Sequence, residues 1–383
     1  MMIRYGQQVI TREDIAAVES VLKSDFLTQG PVVPKFEQAL AKASCANYAV
    51  ATNSATSALH LACLSLGLGP GDILWTSPIT FVASANCGLY CGAHVDFVDI
   101  DPNTYNLSIE QLEVKLQSAK KTGTLPKILI PVHMCGQPCD MQAIYLLGQQ
   151  YGFRIIEDAS HAIGATYHGE PIGSCRYSDI TVFSFHPVKI ITTGEGGVAV
   201  TNDAKLATNM TLLRSHGITR DPALMNNVSQ GPWHYQQIAL GFNYRMTDIQ
   251  AALGISQLSR LSEYVRQRDA LARQYDIRLG GLSLKLPQRV SDRSSAWHLY
   301  VVRLVASDRL TVFNAMRSAG ISVNVHYTPI HLQPYYQLLG FARGQFPNAE
   351  AYGADAITLP LHPTLSAAEF DTVISTLTQA LDK

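Results

Sequence analysis

The stretch SFHPVKIITTGEGG, residues 184–197, contains the residue on which the interpretation of the whole chain depends. It places Lys189 in an uncharged, largely apolar run, after a strand-like segment and before a glycine-rich turn. Burial disfavours the charged form of an amine and lowers its pKa, and such a lysine can act as a Schiff-base nucleophile. The alternative is a surface lysine whose stem packs while its ammonium reaches water. The sequence motifs around Lys189 favour the first interpretation.

An apolar strand that ends in two carboxylates lies upstream of this lysine. Residues 153–158 have the sequence FRIIED and are followed by ASHA. In an α/β sheet, strand ends of this kind line the ligand crevice. An enzyme that uses pyridoxal 5'-phosphate needs a Schiff-base lysine and an acid that keeps the pyridine nitrogen protonated, so that the ring can accept electrons. Asp158 and Lys189 are candidates for these two groups, although a carboxylate at a strand end can also be solvated or cap a helix.

Three motifs together resemble the signature of the DegT/DnrJ/EryC1/StrS family of sugar aminotransferases: EDASHA at 157–162, the SFxxxK run that ends at Lys189, and GEGG at 194–197. The resemblance extends from the N-terminus to Pro363. It implies the α/β architecture of aspartate aminotransferase, called fold type I. We expect a large cofactor-binding domain with a mostly parallel central sheet and an N-terminal arm (1–250), and a smaller α+β C-terminal domain (251–383). Relatives that remove a hydroxyl carry histidine in place of the lysine, so Lys189 implies transamination.

The resemblance also assigns residues to the cofactor. Hydroxyls at the start of a helix can bind an anion through unpaired N–H groups and the helix dipole, or can simply cap the helix. By resemblance, Thr56 and Ser57 at such a start bind the cofactor phosphate together with Ser184. Phe81 is expected to stack on the pyridine ring, although a lone aromatic side chain at a helix start often belongs to the core. His161 is expected to lie beside the ring and orient it during catalysis, although a core histidine bonded to the backbone is an alternative.

A second family-like motif, GFNYRMTD at 241–248, indicates a shared active site. In the family, the asparagine of this motif reaches the cofactor phosphate of the partner subunit. The resemblance therefore implies a homodimer in which Asn243, with Arg245, completes the neighbouring site. Arg245 could instead form a surface ion pair, which would contribute little. Candidates for substrate contacts, for which packing roles are the alternative, are Thr28, His186, Arg214, His326 and His331.

The substrate is implied by further segments, among them ITFVA at 79–83 and RSHG at 214–217, which resemble the branch of the family that serves pseudaminic acid synthesis. The enzyme of that branch aminates carbon 4 of UDP-2-acetamido-2,6-dideoxy-β-L-arabino-hex-4-ulose. This UDP-sugar is the implied substrate, with glutamate as the amino donor. The D-gluco epimer and other nucleotide keto-sugars are open alternatives. A regulatory or structural protein that binds the cofactor without turnover is an alternative of another class, which the combination of Lys189, Asp158 and Ser184 disfavours.

Composition argues against several other classes of protein. Of the 383 residues 47% are hydrophobic and 15% charged, with a net charge of −1, so no basic excess favours nucleic acid. The stretches 43–71 and 73–95 lack charged residues, but polar residues, glycine and proline interrupt them, which argues against membrane spans. The N-terminus lacks the apolar core of a signal peptide, so a cytoplasmic location is expected. The seven cysteines have no zinc-ribbon spacing, which predicts free thiols and no metal site.

Strand-like and helix-like segments alternate in the first half of the chain, which predicts a parallel sheet with crossover helices. Capping boxes are predicted at Thr11 and Ser366. One long helix is predicted from Thr247 to about Arg278, and a strand from Ile321 to Tyr327. Residues 215–239 show no periodicity and predict a long, functional or partly disordered loop. The active site is expected in the cleft between the two domains.

Overall fold

The computed structural model describes residues 2–382. Met1 and Lys383, the outer ends of the two predicted domains, lie outside the described residues. The α-helices are α1 (Arg12–Leu22), α2 (Val32–Ser44), α3 (Ala55–Ser65), α4 (Ala83–Tyr90), α5 (Ile109–Thr122), α6 (Met141–Tyr151), α7 (Ala204–Arg214), α8 (Asp248–Leu258), α9 (Leu261–Leu279), α10 (Arg309–Ser318), α11 (Pro334–Leu338), α12 (Pro347–Asp355) and α13 (Ala367–Leu381).

The strands are β1 (Tyr48–Thr52), β2 (Ile73–Thr76), β3 (His94–Phe97), β4 (Ile128–Ile130), β5 (Arg154–Asp158), β6 (Thr166–Tyr167), β7 (Glu170–Pro171), β8 (Ile180–Ser184), β9 (Gly197–Thr201), β10 (Ile218–Thr219), β11 (Gln236–Gln237), β12 (Leu284–Lys285), β13 (Arg293–Ser294), β14 (Tyr300–Leu304) and β15 (Ala356–Leu359). No helix within residues 2–382 combines the length and apolar character needed to cross a membrane.

A seven-stranded sheet forms the centre of the N-terminal part, in the order β1-β9-β8-β5-β4-β2-β3. The strands from β8 to β3 in this order run parallel, and β9 pairs antiparallel with both β8 and β1. All residues of β8 and β9 are buried, as expected for strands covered by helices on both faces. The predicted mostly parallel sheet is confirmed.

Alternate residues of these strands face two different cores, because successive side chains of a strand point to opposite faces. Ile155 and Phe183 pack in one core with residues of α2, α5 and α6. Ile156 and Val182 pack in the other core with residues of α3, α4 and α7. Continuing this alternation, Glu157 faces the first set of helices and Asp158 faces the second.

Helix α3 begins against the first residue of β9 because that residue is glycine. A Cβ atom on Gly197 would overlap the backbone of Ser54 and Ala55. Glycine permits this close approach of backbone to backbone. Gly197 is also the register partner of Ser184, the last residue of β8. The GEGG turn therefore brings the start of α3 next to the end of β8.

The C-terminal part contains the antiparallel sheet β12-β14-β15, which packs on α10 and α13. Its core includes Ile3 from the N-terminal arm and the second half of α9, from Ala272 onward. Helix α8 packs instead against the N-terminal part, where Gln257 donates hydrogen bonds to the carbonyl of Val9 and to the buried Asp14. The chain therefore passes from one core to the other within α9, and the division at residue 250 stays a prediction.

Three predicted elements differ in the structure. The long helix from Thr247 to Arg278 is wrong, because Arg260 leaves helical geometry between α8 and α9 and pairs with Asp14 at 2.5 Å. The predicted strand at 321–327 is also wrong, since the segment forms isolated bridges, one with Ile3 and one with Thr358, rather than a ladder. Within the 215–239 loop, the short pair β10–β11 forms. Both predicted capping boxes are confirmed.

Candidate active site

A cavity of about 860 Å³ lies where β5 and β8 end and α3 and α4 begin. Both the N-terminal and the C-terminal parts line this cavity, because His298 and His326 of the C-terminal part face the same space as Lys189. The active site was expected in such a cleft. The sequence-predicted residues that line it are Thr56, Ser57, Phe81, Asp158, His161, Ser184, His186, Lys189 and His326.

Lys189 follows β8 through a tight turn in which its N–H donates to the carbonyl of His186 at 2.9 Å. The residue keeps some accessible surface because it lines the cavity, but its amine is enclosed by the walls. This burial lowers the pKa of Lys189 from 10.5 to about 8, and the charge of Asp158 partly opposes the shift. Near neutral pH, a useful fraction of the amine is therefore unprotonated and nucleophilic.

Asp158 ends β5 and is 5% exposed, on the side of the cavity. Its Oδ1 accepts a hydrogen bond from the N–H of Ser160 at 3.0 Å. Its Oδ2 accepts one from the hydroxyl of Ser84 at 2.7 Å. An ionised carboxylate can accept about four hydrogen bonds, so Asp158 retains capacity for a donor inside the cavity.

The start of α3 presents hydroxyl and N–H groups to the cavity. Ser54, rather than Thr56 or Ser57, is the N-cap, and its hydroxyl accepts from the N–H of Ser57 at 3.1 Å. The Ser57 hydroxyl donates to Asn53 Oδ1 at 2.6 Å. These hydrogen bonds leave the Thr56 hydroxyl without a partner within residues 2–382. Free donors at a helix N-terminus, beside Ser184, form a site suited to a phosphate.

Three histidines border the cavity in their neutral form. Burial lowers the pKa of His326 to about 3 and the pKa values of His161 and His298 well below their ordinary value, and the nearby Lys189 charge acts in the same direction. His161 Nε2 lies 3.3 Å from the hydroxyl of Tyr327. A neutral imidazole can both donate and accept, so these rings can orient a polar ligand without adding charge.

Phe81 does not belong to the core. Its side chain is 58% exposed and lines the cavity, with its ring centroid 6.2 Å from that of Tyr327. An exposed aromatic face in a cavity suits stacking against a flat heteroaromatic ring.

Three predicted substrate contacts lie elsewhere in the chain. Arg214 bonds to Glu37 at 2.5 Å and to the carbonyl of Ala51, which holds its guanidinium against β1 and α2. His331 is fully buried and pairs with Glu350 at 3.0 Å. Thr28 forms a backbone bridge with Thr247. None of the three is among the residues that line this cavity, and their role as substrate contacts stays a prediction.

Asn243 and Arg245 do not line the cavity of their own chain either. They form backbone bridges with Ser215 and Thr52, respectively, and Asn243 is exposed. This position is compatible with a role in a neighbouring subunit, which stays a prediction.

Several lining residues were not predicted from the sequence, among them Thr80, Ser160, His298 and Tyr327, and neither was Ser84 behind Asp158. Thr80 and Ser84 are four residues apart in a segment that leads into a helix, a spacing that brings side chains together. That spacing was the available signal. Nothing local in the sequence brings His298 or Tyr327 to the same cavity.

The residues present fit pyridoxal 5'-phosphate. A nucleophilic amine, a carboxylate that can still accept a donor, an exposed aromatic face and a helix start with free donors share one cavity. These groups match the aldehyde, the ring nitrogen, the ring face and the phosphate of that cofactor.

Comparison with known proteins identifies the family. Residues 8–378 match the model of the DegT/DnrJ/EryC1/StrS aminotransferase family. The chain belongs to this family. It is a PLP-dependent sugar aminotransferase, and members of the family act on nucleotide-linked keto-sugars.

Relatives cover nearly the whole chain. The spore coat polysaccharide biosynthesis protein SpsC of Bacillus subtilis is 39% identical over 97% of this chain and 95% of its own. GDP-perosamine synthase of Caulobacter vibrioides is 39% identical over 92% and 91%. The UDP-4-amino-4,6-dideoxy-N-acetyl-β-L-altrosamine transaminase of Campylobacter jejuni is 37% identical over 100% and 98%.

Solved structures of sugar aminotransferases share the fold. Helicobacter pylori PseC, an aminotransferase involved in pseudaminic acid biosynthesis, superimposes with a TM-score of 0.91 at 29% identity, covering all of both chains. A Streptococcus pneumoniae protein described as a sugar aminotransferase, in its PLP form, gives 0.89 at 30% identity over 100% of this chain and 99% of its own. The expected fold type I architecture is therefore confirmed.

Proposed function

We propose that this aminotransferase transfers an amino group from glutamate to carbon 4 of UDP-2-acetamido-2,6-dideoxy-β-L-arabino-hex-4-ulose, in pseudaminic acid biosynthesis. The reaction type rests on one observation, the buried amine of Lys189 sharing a cavity with Asp158. The choice of sugar rests on similarity, over essentially the full chain, to the altrosamine transaminase of Campylobacter jejuni and to PseC.

In this proposal, each residue has a role toward the bound cofactor, which supplies a ring that accepts electrons from the carbon bearing the amine. Lys189 would hold the cofactor aldehyde covalently. Its amine, when free, would move a proton at the α-carbon of glutamate and at carbon 4 of the sugar, a task suited to a pKa of about 8. Asp158 keeps the ring nitrogen protonated.

The remaining residues position the cofactor and limit water. Thr56, Ser57 and Ser184 bind its phosphate at the start of α3, and Phe81 covers one face of the ring. His161, held by Tyr327, lies beside the ring as a neutral group. His186 and His326 are the lining residues that we assign to substrate contact.

The role of Lys189 is tested by its replacement. Lys189→Ala should lose the visible absorbance band of the lysine-bound cofactor and should no longer be bleached by glutamate. Lys189→Arg is the matched control that keeps a positive charge and should lose the same two signals. A band that survives in Lys189→Ala would refute the assignment.

The substrate is tested by incubating the enzyme and glutamate with a panel of 4-keto sugar nucleotides and measuring product masses. We expect the highest kcat/KM with the β-L-arabino UDP-sugar. A second candidate is a GDP-linked keto-sugar, because GDP-perosamine synthase is as similar to this chain as the other relatives. Preference for a GDP-sugar, or for the D-gluco epimer, by tenfold or more would overturn the proposed substrate while leaving the reaction type intact.

We further propose that the enzyme is a homodimer in which Asn243, with Arg245, binds the cofactor phosphate of the partner subunit. Both residues lie outside their own cavity, and Asn243 is exposed. Mixing inactive Lys189→Ala and Asn243→Ala subunits tests this idea. In a mixed dimer with shared sites, one site keeps both residues, so random pairing restores about a quarter of wild-type activity. Sites built within single subunits would restore none.

A further inference from the structure

Two buried hydroxyls lie beside Asp158, that of Thr80 on the turn before α4 and that of Ser84 in the first turn of α4. Ser84 is fully buried and Thr80 is 3% exposed. The Thr80 hydroxyl lies 2.8 Å from the Ser84 hydroxyl, which lies 2.7 Å from Asp158 Oδ2. The three groups therefore form a continuous hydrogen-bonded chain that ends on the carboxylate.

The direction of this chain follows from its chemistry. A hydroxyl has one proton to donate, and an ionised carboxylate can only accept. Ser84 must therefore donate to Asp158 and accept from Thr80. With the N–H of Ser160 on Oδ1, both oxygens have fixed positions.

The same turn also carries the aromatic side chain. The N–H of Ser84 donates to the carbonyl of Phe81 at 3.2 Å, while its hydroxyl holds Asp158. Phe81 faces the cavity from this turn. The segment from Phe81 to Ser84 therefore connects Phe81, proposed to cover the ring face, with Asp158, proposed to hold the ring nitrogen.

We propose that Ser84, supported by Thr80, is a positioning residue that keeps the carboxylate of Asp158 oriented toward the ring nitrogen of the cofactor. This inference rests on the proposed role of Asp158. Ser84 is not among the residues that line the cavity, so it acts through the carboxylate.

The experiment reads the ring nitrogen directly. Holoenzyme is reconstituted with cofactor labelled with ¹⁵N in the ring, and the ¹⁵N chemical shift is measured against pH. In Ser84→Ala the signal should move toward that of the unprotonated ring, and cofactor dissociation should accelerate about tenfold, as expected when a hydrogen bond to a charged group is lost. Thr80→Val should shift the signal less and in the same direction, and Thr80→Ser, which keeps the hydroxyl, should restore it.

Ser178→Ala is the matched control, because the Ser178 hydroxyl bonds to the neighbouring carboxylate of Glu157 instead. It should leave the ¹⁵N signal unchanged. Asp158→Asn separates the two proposals. If Asp158→Asn moves the signal but Ser84→Ala and Thr80→Val do not, the positioning role is wrong and the role of Asp158 stands. If Asp158→Asn also leaves the signal in place, the proposed role of Asp158 is wrong and the inference falls with it.

Discussion

Glu157 and Asp158 are neighbouring carboxylates on β5, and both are nearly buried, at 4% and 5% exposure. Their surroundings differ because they face opposite sides of the sheet. Glu157 Oε1 accepts from the hydroxyls of Ser178 and Thr181, and Oε2 accepts from Nε2 of His133 at 2.8 Å. Asp158 accepts a hydrogen bond from the Ser84 hydroxyl on one side and faces the cavity on the other.

This difference shows that charge and burial alone do not define a functional carboxylate. Burial would raise the pKa of Glu157, but the hydrogen bonds from His133, Ser178 and Thr181 outweigh burial and lower it. Nδ1 of His133 accepts from the N–H of Cys139 at 3.1 Å, so the proton on Nε2 is committed to Glu157. Glu157 is satisfied entirely by the protein, whereas Asp158 retains acceptor capacity toward a ligand.

The largest expected contrast is in activity. Asp158→Asn should lower kcat by at least about a hundredfold, the usual scale for loss of a preorganised charged group. The free energy of unfolding of Asp158→Asn should change by no more than about 1 kcal/mol, because the introduced side-chain amide can still accept from one donor and donate to a reoriented Ser84. Steady-state kinetics and urea unfolding of the same preparation measure both. Activity of Asp158→Asn within tenfold of wild type would contradict the assignment of Asp158 to catalysis.

The next contrast is in stability. Glu157→Gln leaves one acceptor oxygen for the three donors that surround Glu157, so the free energy of unfolding should fall by about 2 kcal/mol, as when a buried donor loses its acceptor. The kcat of the folded fraction should change little. If kcat instead fell as far as in Asp158→Asn, the two carboxylates would act as one unit.

The pH dependence of this stability loss has a defined sign. The folded pKa of Glu157 is lowered from its ordinary value of 4.5. Its stabilisation is therefore fully present above about pH 4.5 and is lost as the pH falls through the lower folded pKa. The stability difference between wild type and Glu157→Gln should shrink in acid, and a difference that grew below pH 4 would contradict the assignment.

A third contrast uses Lys189 as a probe of nearby charge. Its amine reacts when unprotonated, so the rate of cofactor uptake by the apoenzyme should rise about tenfold per pH unit and level off near pH 8, the pKa of Lys189. The charge of Asp158 raises this pKa. In Asp158→Asn the profile should level off at lower pH, while in Glu157→Gln it should match wild type. Stopped-flow absorbance measures the rates, and identical shifts in both variants would contradict the separation of the two faces.

Sequence reasoning found the strand that carries both carboxylates and made Asp158 a candidate, and the resemblance to a family then supported that choice. The alternation along β5 predicts that residues 157 and 158 face opposite sides, and the apolar pattern does not say which side holds the cavity. Lys189 was recognisable only together with the motifs around it, because a lysine in an apolar run can also pack its stem and reach water with its ammonium.

The residues that the sequence did not predict are those whose role depends on long-range packing. Ser84 meets Asp158 across 74 positions of sequence, and Tyr327 meets His161 across 166. Arg214 was expected at the substrate because of its motif, yet Glu37, on a different helix, holds it elsewhere. The break at Arg260 has the same origin, since its partner Asp14 lies at the other end of the N-terminal part.

The smallest effect gives the sharpest comparison, because one substitution can be made on each face. Thr181→Val removes a fully buried hydroxyl that donates to Glu157 at 2.8 Å, and Thr80→Val removes one that leads to Asp158. Thr181→Val should lower the free energy of unfolding by about 1 kcal/mol, the usual value for one hydrogen bond, with no change in the ¹⁵N signal of the bound cofactor. Thr80→Val should move that signal at a similar cost in stability. The two variants make the same chemical change, replacement of a hydroxyl by a methyl group. If the cofactor signal moved equally in both, the sheet would transmit changes from either face. The two carboxylates would then differ only in degree.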